Sequence, residues 1–235
     1  SAGAYMTQYQ MVDNDYNPSE ESSFNRSIPQ FSIHGGLTFE REVSLLKKNF
    51  IQTLEPEFQF LDTAYVDQQD IALFDTNERT LAFDNLFALN RFTGADRIGD
   101  TRQISMAITS RLLQNSGQQL AEAGIGQIAY LKDRKVGLDA IQANNIETSE
   151  FSDVFVKLGL NLKNWYFSST TQFDQDDFKL TNANSRIKWQ QSNHLFMLNH
   201  SLYDANTVDE IDMISLGANS RLDNRWELGL YSSYN

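Results

Sequence analysis

Between Asp153 and Leu162 the chain alternates with a strict period of two. Val154, Val156, Leu158, Leu160 and Leu162 fall on one side, and Phe155, Lys157, Gly159 and Asn161 on the other. Successive side chains of an extended strand point to opposite faces, so this stretch reads as a β-strand with one apolar and one mostly polar surface. The same signature recurs along the chain. A succession of such strands, each long enough to cross a bilayer and joined by connections that alternate long and short, points to an all-β fold: a segment of an antiparallel transmembrane β-barrel.

Composition is compatible with that fold and excludes several others. With 235 residues the chain is one or two ordinary domains, or part of one large barrel. Mean hydropathy is -0.46, and no run approaches the roughly 18 apolar residues of a membrane helix. A barrel strand needs only about 9–11 residues with alternate positions apolar, so its hydropathy signal is weak. A net charge of -12 without a basic stripe argues against a nucleic-acid partner. With Cys 0 there is no disulfide frame and no thiolate chemistry. No leader segment is evident, and both ends lie inside patterned segments, so the expectation is a piece of a longer protein.

The pattern predicts about eleven strands. They are Gly3 to Asp13, Pro29 to Arg41, Phe50 to Ala64, Asp100 to Gln114, Gln118 to Leu131, Asp153 to Leu162, Trp165 to Asp174, Leu180 to Gln190, His194 to Tyr203, Glu210 to Ser220 and Arg225 to Tyr234. In the third, Leu54, Phe58 and Phe60 oppose Glu55, Glu57 and Gln59. Short polar turns at Val43 to Asn49, Asn115 to Gly117, Lys163 to Asn164, Gln191 to Asn193 and Leu222 to Asn224 alternate with other connections. Of the latter, Asn14 to Ile28, Tyr65 to Gly99 and Lys132 to Ser152 are long. Bacterial barrels close with an even strand number, and an open edge in lipid leaves amides unpaired at several kcal/mol each. The remainder of the same barrel is therefore expected as a partner of this segment.

Barrel geometry turns the alternation into a facing assignment. Leu54, Phe58, Phe60, Val156, Leu158 and Leu160 are expected to face outer-membrane lipids. Glu55, Glu57, Gln59, Lys157, Asn161, Arg186 and Lys188 are expected to line a polar lumen. Pro56 interrupts a well-patterned strand and cannot donate to the ladder, so it marks a bulge, a local end of pairing, or a weak point in the wall. The Tyr65 to Gly99 connection is too long for a simple linker. It carries Ile71, Leu73, Phe74, Leu81, Phe83, Leu86, Phe87, Leu89 and Phe92, which favours packing over or into a barrel mouth. Asp96 and Arg97 are candidates to pair and anchor its return to the wall.

Catalysis finds little support. A hydrolase needs a nucleophile, a base and an orienting group brought together. Only His34, His194 and His200 are available as a histidine base, and no serine sits in a Gly-x-Ser-x-Gly elbow. His200 is the odd one, sharing a face with Phe196, Leu198 and Leu202. No pair of histidines has metal-ligand spacing, and no cofactor is implied.

An ordered set of short motifs carries a resemblance. It runs through Phe24-Asn25-Arg26, Ile28-Pro29-Gln30-Phe31, Gln52-Thr53-Leu54-Glu55-Pro56, Tyr65-Val66-Asp67-Gln68-Gln69-Asp70-Ile71, Asn85-Leu86-Phe87 and Gly94-Ala95-Asp96-Arg97-Ile98. It continues through Gln103, Ala107-Ile108-Thr109-Ser110-Arg111 and Gly126-Gln127. In order and spacing these resemble the LptD family of lipopolysaccharide-assembly proteins, once called organic solvent tolerance proteins. The resemblance implies a middle segment of a very large Gram-negative outer-membrane barrel, without the family's periplasmic jellyroll. It implies lipopolysaccharide as cargo and an LptE-type lipoprotein as a plug. The alternatives are a general diffusion porin or other outer-membrane channel, and a soluble β-structural domain.

Overall fold

The computed structural model describes residues 1–11, 22–45, 47–69, 71–138, 146–203, 211–223 and 225–235. Twelve strands form one sheet: β1 (Ala2–Met11), β2 (Ser22–Gly36), β3 (Phe39–Leu45), β4 (Lys48–Thr63), β5 (Thr101–Gln114), β6 (Gln119–Tyr130), β7 (Val154–Leu162), β8 (Trp165–Phe173), β9 (Leu180–Gln191), β10 (His194–Tyr203), β11 (Ile211–Arg221) and β12 (Glu227–Tyr234). Spatial order follows chain order, with β3 pairing β4 beyond the end of β2. Every pairing is antiparallel. The sheet is that of an antiparallel β-barrel segment and is not closed within this chain. At 16 and 14 residues, β4 and β5 exceed the about 9–11 needed to cross a bilayer, so their ends reach beyond it.

The predicted second strand is cut in two. Leu37 donates its N–H to the Pro56 carbonyl at 3.0 Å. A hydrogen-bonded antiparallel pair exchanges two such bonds, and Pro56 has no N–H to return. Pairing resumes at Phe39↔Leu54 in the register that Gly36↔Glu57 leaves off, so the break is a gap in the ladder and not a slip. On the other side of β4 the ladder with β5 skips Thr53 and Leu54. There Ser110 Oγ donates to the Thr53 carbonyl at 2.8 Å, and the Arg111 N–H donates to Thr53 Oγ1 at 3.1 Å.

One expected long connection is shorter than predicted. Residues 22–28 were expected within the Asn14 to Ile28 loop, yet they pair with β1, for example Tyr5↔Ile28. Asn25 and Ser27 project from the side opposite buried Arg26 and Ile28, so the stretch is a strand whose exposed face is polar and hides the alternation. The Val43 to Asn49 turn also tightens, because β3 and β4 run up to Leu45 and Lys48, with Lys47 at φ 63. Asn144, within the expected Lys132 to Ser152 connection, lies outside the described residues.

The two faces of the sheet differ as the alternation demands. One is largely apolar, with Ile33, Leu54, Phe58, Met106, Ile108, Ile125, Leu158, Phe196 and Leu216 standing exposed. An apolar surface of this extent is foreign to a water-soluble monomer. Near the short turns it carries an aromatic cluster, with Trp165 and Trp189 centroids 6.4 Å apart and Trp189 and Phe196 5.5 Å apart. Such girdles sit at membrane–water interfaces. The other face is polar, and the core of the molecule lies there, beneath the 65–99 loop.

Candidate functional site: a loop seated on the polar face

Residues 65–99 fold back over the polar face of β4 to β7. Leu86, fully buried, joins Ala107, Ile128 and Phe155 in an apolar cluster flanked by Leu81, Phe83, Phe87 and Tyr130. The seat is made by two glycines of β6. A Cβ on Gly124 would stand 2.6 Å from Phe83 Cζ, and one on Gly126 would stand 2.5 Å from Leu86 Cδ1. A side chain at either position would displace Phe83 or Leu86. Burying a leucine or phenylalanine is worth about 1.5–3 kcal/mol, so Leu86 and Phe92, also fully buried, hold the loop firmly. Ile71 is buried as well, whereas Leu73, Phe74 and Leu89 are exposed.

The loop's neck is closed by polar contacts. Gln68 accepts from the Ile98 N–H at 3.0 Å and donates to the Ile98 carbonyl at 2.8 Å, so its amide imitates a backbone pair. Arg26 of β2 is buried and donates to Gln68 Oε1 (2.7 Å), the Asp96 carbonyl (2.7 Å), the Ala95 carbonyl (2.6 Å) and Thr7 Oγ1 (3.1 Å). One guanidinium thereby ties two wall strands to both ends of the loop. Asp96 Oδ2 accepts from the Phe74 N–H at 2.8 Å and the Asp75 N–H at 3.2 Å. Arg97 donates to the Ile71 carbonyl at 2.7 Å and the Leu138 carbonyl at 3.3 Å. Both residues are buried at the loop's return, each bonded to the backbone of other turns. Gly94, at φ +68, allows that return, since a Cβ there would meet Asp75 Oδ1 at 2.6 Å.

The described part of the 131–153 connection leans on the same neck. Asp100 Oδ1 accepts from the N–H groups of Lys135 and Val136, each at 2.9 Å. Arg91 donates to the Val136 carbonyl, and burial lowers its pKa from the ordinary arginine value against the pull of Asp100 and Glu78. Arg134 pairs with Glu147 at 2.7 Å and lies 3.5 Å over the Tyr130 ring. A cavity of about 180 Å³ remains between loop and wall, lined among others by Leu61, Arg91, Asp100 and Tyr130.

A chain of charges crosses the wall below the loop. Glu55 of β4 pairs with Arg111 of β5, which pairs with Glu122 of β6 at 3.0 Å. Lys157 of β7 reaches Glu122 at 3.3 Å and Asp84, in the loop's 3-10 turn Phe83–Asn85, at 2.9 Å. On the same face Glu57 meets His34 at 2.6 Å, His34 stacks on Phe87 with centroids 5.1 Å apart, and Gln59 donates to the Phe87 carbonyl at 3.1 Å.

The strand registers place Glu55, Glu57, Gln59, Lys157, Asn161, Arg186 and Lys188 together on the loop-bearing face, although Asn161, Arg186 and Lys188 lie away from the loop. Leu54, Phe58, Phe60, Val156, Leu158 and Leu160 lie on the opposite face, together with Pro56. His200 lies on that apolar face too, with Nε2 2.9 Å from Asp212 Oδ1. Gly124, Gly126, Asp84, Arg26 and Gln68 were not foreseen as loop contacts. The available signal was the pair of glycines at inward positions of a strand that otherwise reads as weak.

A family model described as LptD, LPS transport system D, matches residues 1–226. Among similar proteins, the LPS-assembly protein LptD of Pseudomonas putida GB-1 is 40% identical over 163 residues, 67% of this chain and 17% of its own length. That of Shewanella oneidensis MR-1 is 32% identical over 232 residues, 92% of this chain and 30% of its own. That of Shewanella frigidimarina is 29% identical over 247 residues, 98% and 32% respectively. The chain thus spans less than a third of the length of these curated relatives.

Proposed function

The chain belongs to the LptD family, and on that premise we propose that it forms part of the wall of a translocon that places lipopolysaccharide in the outer leaflet of the Gram-negative outer membrane. The observation that carries this reading is the 65–99 loop, seated by apolar packing on the polar face of a sheet whose other face is largely apolar. A wall that brings its own cover suits a wide conduit that must stay sealed between transfers. The function is transport and not catalysis.

In this reading Leu54, Phe58, Phe60, Val156, Leu158 and Leu160 meet acyl chains. Glu55, Glu57, Gln59, Lys157, Asn161, Arg186 and Lys188 border a hydrophilic lumen that passes a sugar headgroup and seats a lipoprotein plug of the LptE type. Asp96 and Arg97 fasten the cover, and the gap at Pro56 lets the wall flex. Further strands of the same barrel cover the outer edges of β1 and β12, because bare edges in lipid cost several kcal/mol per amide. The long connections lie outside the cell.

Depletion of the full-length protein should stop newly made lipopolysaccharide from reaching the surface of intact cells, and continued arrival would overturn the transport reading. Deleting residues 68–92 from the full-length protein should leave the folded barrel at normal levels while sensitising cells to vancomycin or impairing plug assembly. Normal resistance with normal barrel levels would overturn the sealing role. An epitope at Thr148 should be reached by antibody on intact cells, and one at Gly117 only after the outer membrane is opened; the reverse would invert the orientation.

A further inference from the structure

The polar face is furnished unequally. Beneath the loop, Arg111 and Lys157 are each neutralised by two acids. Farther along, on β7 to β10, a groove of about 470 Å³ gathers Lys163, Arg186 and Lys188 without an acidic residue in its lining. Arg186 Nε donates to Asn199 at 2.8 Å, and among the described residues its terminal amino groups, like the ammonium groups of Lys163 and Lys188, meet no carboxylate. In a chain with a net charge of -12, three cations that meet no carboxylate among the described residues, gathered in one concavity, are a distinct feature. Like charges held together destabilise a wall unless an anion joins them.

The rest of the lining narrows the class of anion. Asn161 stands opposite Tyr166, and Tyr166 opposite Lys188, in one row across β7, β8 and β9. With strands about 4.8 Å apart the row spans roughly 10 Å, the scale of a sugar ring with one substituent. Asn161 and Asn164 offer amides that both donate and accept, which suits ring hydroxyls, and Tyr166 offers an aromatic face with a hydroxyl. Lys and Arg supply charge-assisted donors that suit phosphate oxygens. We propose that this groove is a binding site for a phosphate-bearing saccharide, a contact on the polar wall that holds the headgroup by its phosphate as it moves through. The proposal rests on the transport reading above and adds the site and its chemistry to it. An acidic protein surface would use the cations but leave the row of amides and the ring unexplained.

The test uses the full-length protein with its partners in cells. A photo-crosslinking amino acid at Tyr166 should capture lipopolysaccharide, and a second one at Thr170, on the same face but outside the groove lining, serves as reference. Capture at Tyr166 should fall about tenfold or more, about 1.4 kcal/mol, in the K163Q/R186Q/K188Q variant, since its charge-assisted donors to phosphate are lost. It should fall similarly in cells whose lipopolysaccharide core lacks phosphate. Should the triple variant fail to assemble, the single Lys188→Gln and charge-keeping Lys188→Arg variants decide, with loss expected in the first and retention in the second. Capture that ignores both charge and phosphate, or capture at Tyr166 of a protein in place of lipopolysaccharide, overturns the site. Capture at Thr170 with none at Tyr166 overturns the site and leaves the transport reading standing. Capture at neither, together with normal surface delivery after depletion, overturns the transport reading itself.

Discussion

Lys157 lies 2.9 Å from Asp84 and 3.3 Å from Glu122, so one ammonium group joins the loop's turn to the wall beneath it. The two contacts are unequal. Asp84 is largely exposed, whereas the Glu122 side chain is 10% exposed and is shared with Arg111.

Asp84→Asn should therefore do little, within about 0–1 kcal/mol for an exposed pair. Lys157→Met should loosen the loop more, because it also leaves Glu122 with a single cationic partner. Hydrogen exchange of residues 80–90 in the reconstituted protein reads both, and equal exchange in the two variants would contradict the ranking.

Gly124→Ala and Gly126→Val should unseat the loop, since the new side chains would enter the space of Phe83 and Leu86. Overpacking of this kind costs about 1–3 kcal/mol. Gly229→Ala is the control, with nothing within 4 Å of its Cβ position. Faster loop exchange at unchanged barrel levels is the expected result for the first two variants only.

The facing assignment predicts that single cysteines at Val156, Leu158 and Leu160 resist a water-soluble maleimide in membranes, while cysteines at Lys157 and Asn161 react. An arginine at Leu158 should cost about 2–4 kcal/mol if the residue sits near the bilayer midplane, against little at Asn161. Similar labelling at positions 157 and 158 would refute it.

Pro56→Ala restores an N–H opposite Leu37. If that bond forms, the wall should gain about 0.5–1.5 kcal/mol, and the Leu37 amide should exchange more slowly. A stiffer wall that delivers lipopolysaccharide more slowly would give the gap a role; unchanged delivery would mark it as a tolerated defect.

In the turn after β8, Asp174 accepts from the N–H groups of Asp176 at 2.8 Å and Asp177 at 3.2 Å, which hold its carboxyl below the usual aspartate value. A folded pKa below the unfolded one gives a contribution fully present above the unfolded value, about 3.9, and lost as pH falls through the folded one. Amide signals of Asp176 and Asp177 should hold steady from neutral pH to about 4 and shift below it. Asp174→Asn should remove that acid limb.

The wall was legible in the sequence because burial on one face alone imposes a period of two, as β7 displays from Val154 to Leu162. Legibility failed where that condition fails. Residues 25–28 present polar side chains, Asn25 and Ser27, outward and so carry no such signature. Phe155, Leu61 and Ile128 are apolar on the polar face, and each exception is explained by the loop packed above it. Contacts between segments far apart in the chain, such as Arg26 with Gln68, leave no periodic trace, and neither does the grouping of Lys163 with Lys188.

Gly124 and Gly126 make β6 and the loop a single inheritable unit. At Gly124 the nearest obstacles to a larger residue all belong to the loop's Phe83, and at Gly126 Leu86 comes first, ahead of the β5 backbone at 3.0 Å, so neither partner can drift alone. A chimera that imports a relative's loop without its matching strand should assemble badly, and one that imports both should assemble well. Residues about forty positions apart along the chain are thus bound to vary together, although neither glycine contributes a single side-chain atom to the contact.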